Sequence, residues 1–253
     1  MLENPLSVPF LKNIDEKNHL EVRQRLIDAA EGRLITVVEE FDKAFDILSR
    51  HPKTVTMFGS ARLSQDHAVC KQAFATAWAL SKHGYAVVTG GGGGVMEASN
   101  RGAMKAGGPS IGFNIKLPME QRLNDYTTEH YTFEHFFGRK VAMTLDSNGY
   151  IYFGGGFGTF DELFEIMTLV QTGIVPTVPI ILFGKDYWAP LDSIIRGTLA
   201  DKYGTIHDDD TELYTITDDI TEVVNLISTH TYEKSRKNMN MRATRLRKLW
   251  GYE

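Results

Sequence analysis

Cysteine is almost missing: Cys70 is the only one in 253 residues, so no disulfide can close within the chain and stability must come from a packed core. Positive charge is also not in surplus. With 27 Lys and Arg against 32 Asp and Glu, the net charge is −5, which argues against a dedicated nucleic-acid binder, because that affinity needs a basic surface to displace counterions. No apolar run reaches the roughly 18 residues of a membrane helix, and the opening Met1-Leu2-Glu3-Asn4-Pro5 lacks the charged-then-apolar layout of a signal peptide. A soluble cytoplasmic protein without a membrane partner is expected. The eight histidines (19, 51, 67, 83, 130, 135, 207 and 230) show no metal-ligand spacing, so no metal is expected. Asp208-Asp209-Asp210 reads as a polar turn in preference to a cation site, and Cys70, on an apolar helix face, as inert.

What is present is an ordinary globular balance, 42% hydrophobic and 23% charged, and a clear change of pattern along the chain. From Asp15 to Arg50 charges alternate with Leu20, Leu26, Ile27, Leu34, Val37, Val38, Phe41, Phe45 and Leu48 at helical spacing, and Gly32 is expected to divide the stretch into two helices. It is either a partner-binding extension or a layer packed on the main domain or a second subunit. After Thr54 short apolar runs alternate with helices. The runs are Thr54–Phe58, Tyr85–Thr89, Ser110–Ile115, Tyr131–Phe133, Gly149–Phe153, Val178–Phe183 and Leu213–Ile216. The helices are Asp66–His83 (apolar face Ala68, Val69, Phe74, Ala77, Trp78 and Leu80), Val95–Ala106, Phe136–Asp146, a segment to about Gln171, Pro190–Tyr203 and Ile220–Ser228. Such alternation predicts an α/β fold, a doubly wound Rossmann-like parallel sheet flanked by helices, with ligands at the carboxyl ends of the strands. The expected organisation is an N-terminal helical extension (1–50), a nucleotide-binding catalytic domain (51–230) and a basic C-terminal helix or tail (231–253), whose Lys234, Arg236, Lys237, Arg242, Arg245, Arg247 and Lys248 suit a solvated or subunit-packing face. The segment from Lys116 to Glu129, with Pro118, reads as a loop over the sheet edge.

Three glycine turns each join a strand to a helix: Gly59-Ser60, the five glycines Gly90 to Gly94, and Gly154-Gly155-Gly156-Phe157-Gly158-Thr159-Phe160-Asp161-Glu162. Glycine lets backbone N–H groups approach an anion, and a helix N-terminus adds unpaired donors and partial positive charge. The dinucleotide fingerprint fails, because Glu97 stands where a small residue is needed and Asn114 where an acid is expected. A P-loop is absent too, since Gly184-Lys185 continues with Asp186. A ligand with one phosphate fits better than a triphosphate with Mg²⁺. Two carboxylates in what reads as the first helical turn are unusual for a phosphate cradle. For Glu162 two readings stand side by side: Thr159-x-x-Glu162 is a capping box, or the carboxylate acts on the ligand. Asp161, about 100° around the helix, is assigned to complement the helix dipole.

These residues resemble the LONELY GUY (LOG) family of cytokinin riboside 5′-monophosphate phosphoribohydrolases, also known as lysine decarboxylase-like proteins. Gly154 to Glu162 is similar to their Pro-Gly-Gly-x-Gly-Thr-x-x-Glu motif, Arg139-Lys140-Val141-Ala142-Met143 to their Arg-Lys-x-x-Met segment, and Phe58-Gly59-Ser60 and the Gly90 to Glu97 loop match as well. Gly154 in place of proline and Glu97 in place of a frequent glycine resemble the longer bacterial branch. The resemblance implies hydrolysis of the N-glycosidic bond of a nucleoside 5′-monophosphate, AMP or an N6-modified AMP, to free base and ribose 5-phosphate. It implies Arg139 and Glu162 as catalytic residues, and Ser60, Gly92, Gly93, Glu97, Lys140, Gly155, Gly156, Gly158 and Thr159 as substrate or phosphate ligands. No cofactor is implied, and a homodimer or an assembly of dimers is. Placed at a positive helix end, Glu162 is expected to favour its ionised form, while Glu97 either contacts ribose hydroxyls or caps its own helix. Pocket shape is expected to depend on Met96, Leu117 and Met143. Two other readings remain: a non-catalytic nucleotide-binding module, and a pyridoxal-phosphate decarboxylase, for which no lysine sits in a recognisable Schiff-base context.

Overall fold

A computed structural model describes residues 19–117, 122–145 and 147–230. The basic tail from 231 onward, the start at Asp15, Pro118 and Asp146 lie outside the described residues, as do the side chains of Leu20, Leu26, Ile27 and Leu34. Among the described residues no helix is long and apolar enough to cross a membrane. The described residues divide into two compact units between Asp42 and Lys43.

The first helix, α1, runs unbroken over His19–Ser49. The expected break at Gly32 does not occur. A glycine costs a helix only about 1 kcal/mol relative to alanine, too little to interrupt an apolar periodicity that stays in phase on both sides. The last turns of α1 belong to the second unit, where Ala44, Ile47 and Leu48 join its core.

The second unit is a seven-stranded sheet in the order β4-β3-β2-β1-β5-β6-β7. Its strands are β1 (Thr54–Phe58), β2 (Ala86–Thr89), β3 (Ser110–Ile115), β4 (Glu129–Phe133), β5 (Tyr150–Tyr152), β6 (Ile180–Phe183) and β7 (Thr215–Thr217). Every pairing is parallel, so the expected doubly wound α/β class is observed. Parallel strands covered on both faces read as continuous apolar runs, and side-chain alternation sorts them. Val55, Met57, Ile151 and Phe153 pack with α2 (Ala68–Lys82), α3 (Val95–Ala106) and α7 (Ile220–Ser228) on one face. Phe58, Tyr150 and Tyr152 pack with α4 (Phe136–Thr144), α5 (Phe157–Gln171) and α6 (Lys185–Ser193) on the other.

Chain order reverses between β1 and β5, and a crevice opens beyond their carboxyl ends. There the Phe153 N–H donates to the Phe58 carbonyl (2.9 Å) and the Ser60 N–H to the Gly154 carbonyl (3.1 Å), tying the β1–α2 loop to the β5–α5 turn.

Two further helices differ from the sequence reading. On α2 the buried face is Cys70, Ala73, Thr76, Ala77, Leu80 and Ser81, while Trp78 is exposed with the Lys82 ammonium over its ring. Small residues form that face because α3 approaches closely: a methyl on Gly102 would stand 2.3 Å from the Phe74 carbonyl oxygen. Burial pushes the Cys70 thiol up in pKa. Further on, α6 starts at Lys185, not Pro190, because Gly184 takes a positive φ and the Asp218 carboxylate accepts the Lys185 N–H (2.9 Å). Pro190 lies inside it, where it has no N–H to donate to the preceding turn. A π-helical segment, Ile194–Lys202, continues it. The Asp208 region is a 3₁₀ turn to Glu212, in which Asp210 accepts from the His207 N–H and the Gln171 amide.

Candidate active site

The crevice is a cavity of about 1250 Å³ walled by the β1–α2 loop, Gly90, α4 and the β5–α5 turn. Of the residues singled out in the sequence, Ser60, Arg139, Gly155, Gly156, Gly158, Thr159 and Glu162 line it, and so do Met96, Leu117 and Met143. Gly92, Gly93, Glu97 and Lys140 do not.

The glycines of the β5–α5 turn serve different ends. A side chain at Gly156 or Gly158 would meet nothing, so these positions leave the turn open to the cavity. Gly155 is a packing requirement, because a methyl there would sit 2.0 Å from the Thr159 hydroxyl. Helix α5 begins at Phe157 with Gly156 as its N-cap and no side-chain cap. The capping box of Thr159 and Glu162 is therefore not formed: Thr159 is the third helical residue, and Glu162 lies in the second turn. The N–H groups of Thr159 and Phe160 donate to the Gly156 carbonyl (2.9 and 3.2 Å), while those of Phe157 and Gly158 have no acceptor among the described residues, a favourable place for an anion.

Glu162 is 6% exposed, and its Oε2 has no hydrogen-bond partner among the described residues. Burial raises its pKa to about 7, against the pull of Arg139 and Lys140 and with the push of Glu165 and Asp161. The expected preference for the ionised form, argued from the helix dipole, is overturned: the carboxylate is one turn too deep to feel the helix end and is held away from water.

Arg139, on α4, approaches from the opposite wall. Its Nε donates to the Phe113 carbonyl at the end of β3 (2.7 Å), and its guanidinium fills the space over Gly90, where a methyl would stand 2.1 Å from Nη2. Burial lowers its pKa, opposed by the Glu162 charge. The five-glycine loop is thus shaped mainly by its own packing. Gly91 and Gly94 have positive φ, the Gly91 N–H donates to the Thr89 hydroxyl, and Asn124 donates to the carbonyls of Gly91 (2.8 Å) and Gly92 (3.0 Å). That is why Gly92 and Gly93 are turned from the cavity. Glu97 lies on the side of α3 toward Cys70, whose thiol feels its charge. Lys140 is ion-paired to Asp161 (2.8 Å) and Glu165 (2.9 Å), so Asp161 is a lysine partner and not merely a dipole complement.

Sequence reasoning missed three polar lining residues, Arg62, His67 and Tyr187. His67 also caps α2, its Nδ1 accepting the Val69 N–H (3.2 Å). Nothing in the local pattern marks them. Among the described residues there is no group of His, Cys, Asp and Glu able to hold a metal ion.

A family model described as "possible lysine decarboxylase" matches residues 96–227, just over half of the chain. The chain belongs to that family. The possible lysine decarboxylase match takes in Arg139 and the Gly154–Glu162 turn but not β1 or the glycine loop. An uncharacterised protein of Archaeoglobus fulgidus is 34% identical over 85 residues, 33% of this chain and 54% of that protein. A Mycobacterium marinum protein named cytokinin riboside 5′-monophosphate phosphoribohydrolase is 29% identical over 118 residues, 46% of this chain and 62% of that one. A Rhodococcoides fascians protein of the same name is 26% identical over 148 residues, 57% and 75% of the two chains. The chain thus spans less than two thirds of the first two relatives. These names bear out the resemblance to the LOG family. Among solved structures, the molybdenum cofactor binding protein of Rippkaea orientalis covers 70% of this chain and 94% of its own with a TM-score of 0.52 at 19% identity. The molybdenum cofactor carrier protein of Chlamydomonas reinhardtii covers 70% and 96% with 0.51, also at 19%. At such identity they show the fold alone.

The family description invites a test for pyridoxal phosphate, which needs a lysine for its Schiff base. Among the described residues no lysine lines the cavity, and Lys140 is occupied by two carboxylates. The residues do not fit that cofactor.

Proposed function

We propose that the protein hydrolyses the N-glycosidic bond of a nucleoside 5′-monophosphate, releasing free base and ribose 5-phosphate. The observation that carries this reading is the buried Glu162 carboxyl, with one oxygen unpartnered among the described residues, facing the same cavity as Arg139 and the Gly155–Gly158 turn, whose amides have no acceptor among the described residues. A 5′-phosphate held on that turn would place the sugar one helical turn deeper, against Glu162. As the C1′–N bond breaks, its electron pair leaves with the base and positive charge builds at C1′, which an ionised carboxylate stabilises. Water adds its oxygen to C1′. Its proton passes to Glu162, whose pKa of about 7 suits proton transfer at neutral pH, and the departing base nitrogen takes a proton in turn. Arg139 holds the ribose or its phosphate.

The remaining wall, with Met96, Ile115, Leu117, Phe136 and Met143, is apolar. It suits adenine or an N6-alkylated adenine stacked between side chains. The proposed assembly is a homodimer, supported by the exposed apolar stripe of Phe137 and Val141 on α4 and Leu145 at its C-cap.

Incubating the protein with a panel of nucleoside 5′-monophosphates and separating the products tests the reading. Free base and ribose 5-phosphate in equal amounts are expected. Tight binding without release of base would reassign the site to a nucleotide-binding module, and neither binding nor release would remove the reading.

A further inference from the structure

Tyr187 has no part in the motifs read from the sequence, yet it touches the β5–α5 turn at two points. Its ring lies on Gly154, where a methyl would come within 3.0 to 3.2 Å of three ring carbons. Its hydroxyl donates to the Gly155 carbonyl (2.5 Å). The ring is itself fixed: it meets Trp188 edge-on at 4.9 Å, and the fully buried Trp188 donates its indole N–H to the Tyr152 and Phe183 carbonyls (3.2 Å each). The aromatic anchor thus belongs to the strand ends and not to the turn.

The peptide it holds joins two glycines. A trans peptide is planar, with the carbonyl of one residue and the N–H of the next pointing in opposite directions. Turning such a unit over changes only ψ of Gly155 and φ of Gly156, which glycine tolerates in either sense. Left alone, the Gly155–Gly156 peptide can therefore present either a donor or an acceptor to an anion. With the carbonyl bonded to Tyr187, the Gly156 N–H is sent the other way, and it has no acceptor among the described residues.

We propose that Tyr187 is a positioning residue: its hydroxyl locks the Gly155–Gly156 peptide so that the turn offers an amide, and not a carbonyl, to the phosphate of the ligand. This rests on the reading of the turn as a phosphate site. Gly154 belongs to the same device, because any side chain there would push against the ring.

The test is Tyr187→Phe, which keeps the ring and removes the hydroxyl. Titration calorimetry with inorganic phosphate, ribose 5-phosphate and adenosine is compared with the wild type, alongside thermal unfolding. Phosphate and ribose 5-phosphate are expected to bind about two- to tenfold more weakly, the worth of one net hydrogen bond, with adenosine affinity and the unfolding midpoint unchanged. Equal phosphate affinity in the two proteins overturns the proposal, as does an equal loss for adenosine, which would mean that the tyrosine only packs. A wild type that binds phosphate but releases no base from nucleotides removes the hydrolase reading and leaves the lock intact. A wild type that binds no phosphate removes both.

Discussion

The Arg139 guanidinium occupies the space that a side chain at Gly90 would need, its Nη2 lying 2.1 Å from the position of a methyl carbon there. Gly90 does not have a positive φ, so alanine is conformationally allowed and its cost falls on Arg139 and on the Met96 sulfur, 2.7 Å away. Gly90→Ala should therefore fold yet displace the arginine. Turnover is expected to fall at least tenfold, comparable to Arg139→Ala. Steady-state kinetics on both variants and on the double variant checks this: if the two act through one group, the double variant loses little more than either single one.

Lys140, on α4, neutralises Asp161 and Glu165, which flank Glu162 on α5. Its charge lowers the Glu162 pKa, while those of Glu165 and Asp161 raise it. In Lys140→Met the lowering influence is lost and the two acids are left uncompensated, so the Glu162 pKa should move above about 7. If the ionised form is the active one, activity at pH 7 falls several-fold and returns by about pH 9, one pKa unit being a tenfold change in the equilibrium. A pH profile of kcat/KM reads this, and Lys140→Arg should restore the original midpoint.

The exposed stripe on α4 carries the assembly proposal. Phe137, Val141 and Leu145 are 50%, 39% and 55% exposed and recur every fourth residue. Phe137→Asp with Val141→Asp should leave the fold in place and halve the mass found by light scattering. A wild type that is already monomeric would refute the dimer.

Where local chemistry settles a boundary, the sequence was enough. Helix α3 and strand β3 fall where they were expected, because Gly94 and Gly107 take positive φ on either side of the helix and punctuate the pattern. Where a boundary depends on a distant partner, it was not. The start of α6 depends on Asp218, 33 residues away, and the small-residue face of α2 depends on Gly102. The site divides the same way. Glu162 and Arg139 stand out by motif and share the cavity, whereas Lys140, adjacent to Arg139, points to α5 because successive helical residues differ by about 100°. Tyr187 could not be found, since what marks it is the absence of a side chain at Gly154. The Glu162 pKa does not follow from the sequence, because a Thr159 cap would start the helix three residues later than Gly156 starts it.

Glu162 itself offers a test that links stability to chemistry. Its folded pKa, about 7, is raised above the ordinary 4.5, so the folded state holds this proton more tightly than the unfolded chain. The stabilisation is fully present below pH 4.5 and is lost as pH rises through about 7. Glu162→Gln does not titrate, so its stability relative to wild type should climb across that window. The climb amounts to about 3 kcal/mol at about 1.36 kcal/mol per pKa unit. Thermal midpoints measured from pH 4.5 to 8 should therefore diverge in favour of the variant, and a constant offset would remove the buried-proton assignment. In the same variant release of ribose 5-phosphate should fall by about 10² or more, the worth of a positioned proton-transfer group, while AMP affinity by calorimetry stays within a few-fold. Activity close to wild type would end the catalytic role of Glu162, whatever the stability data show.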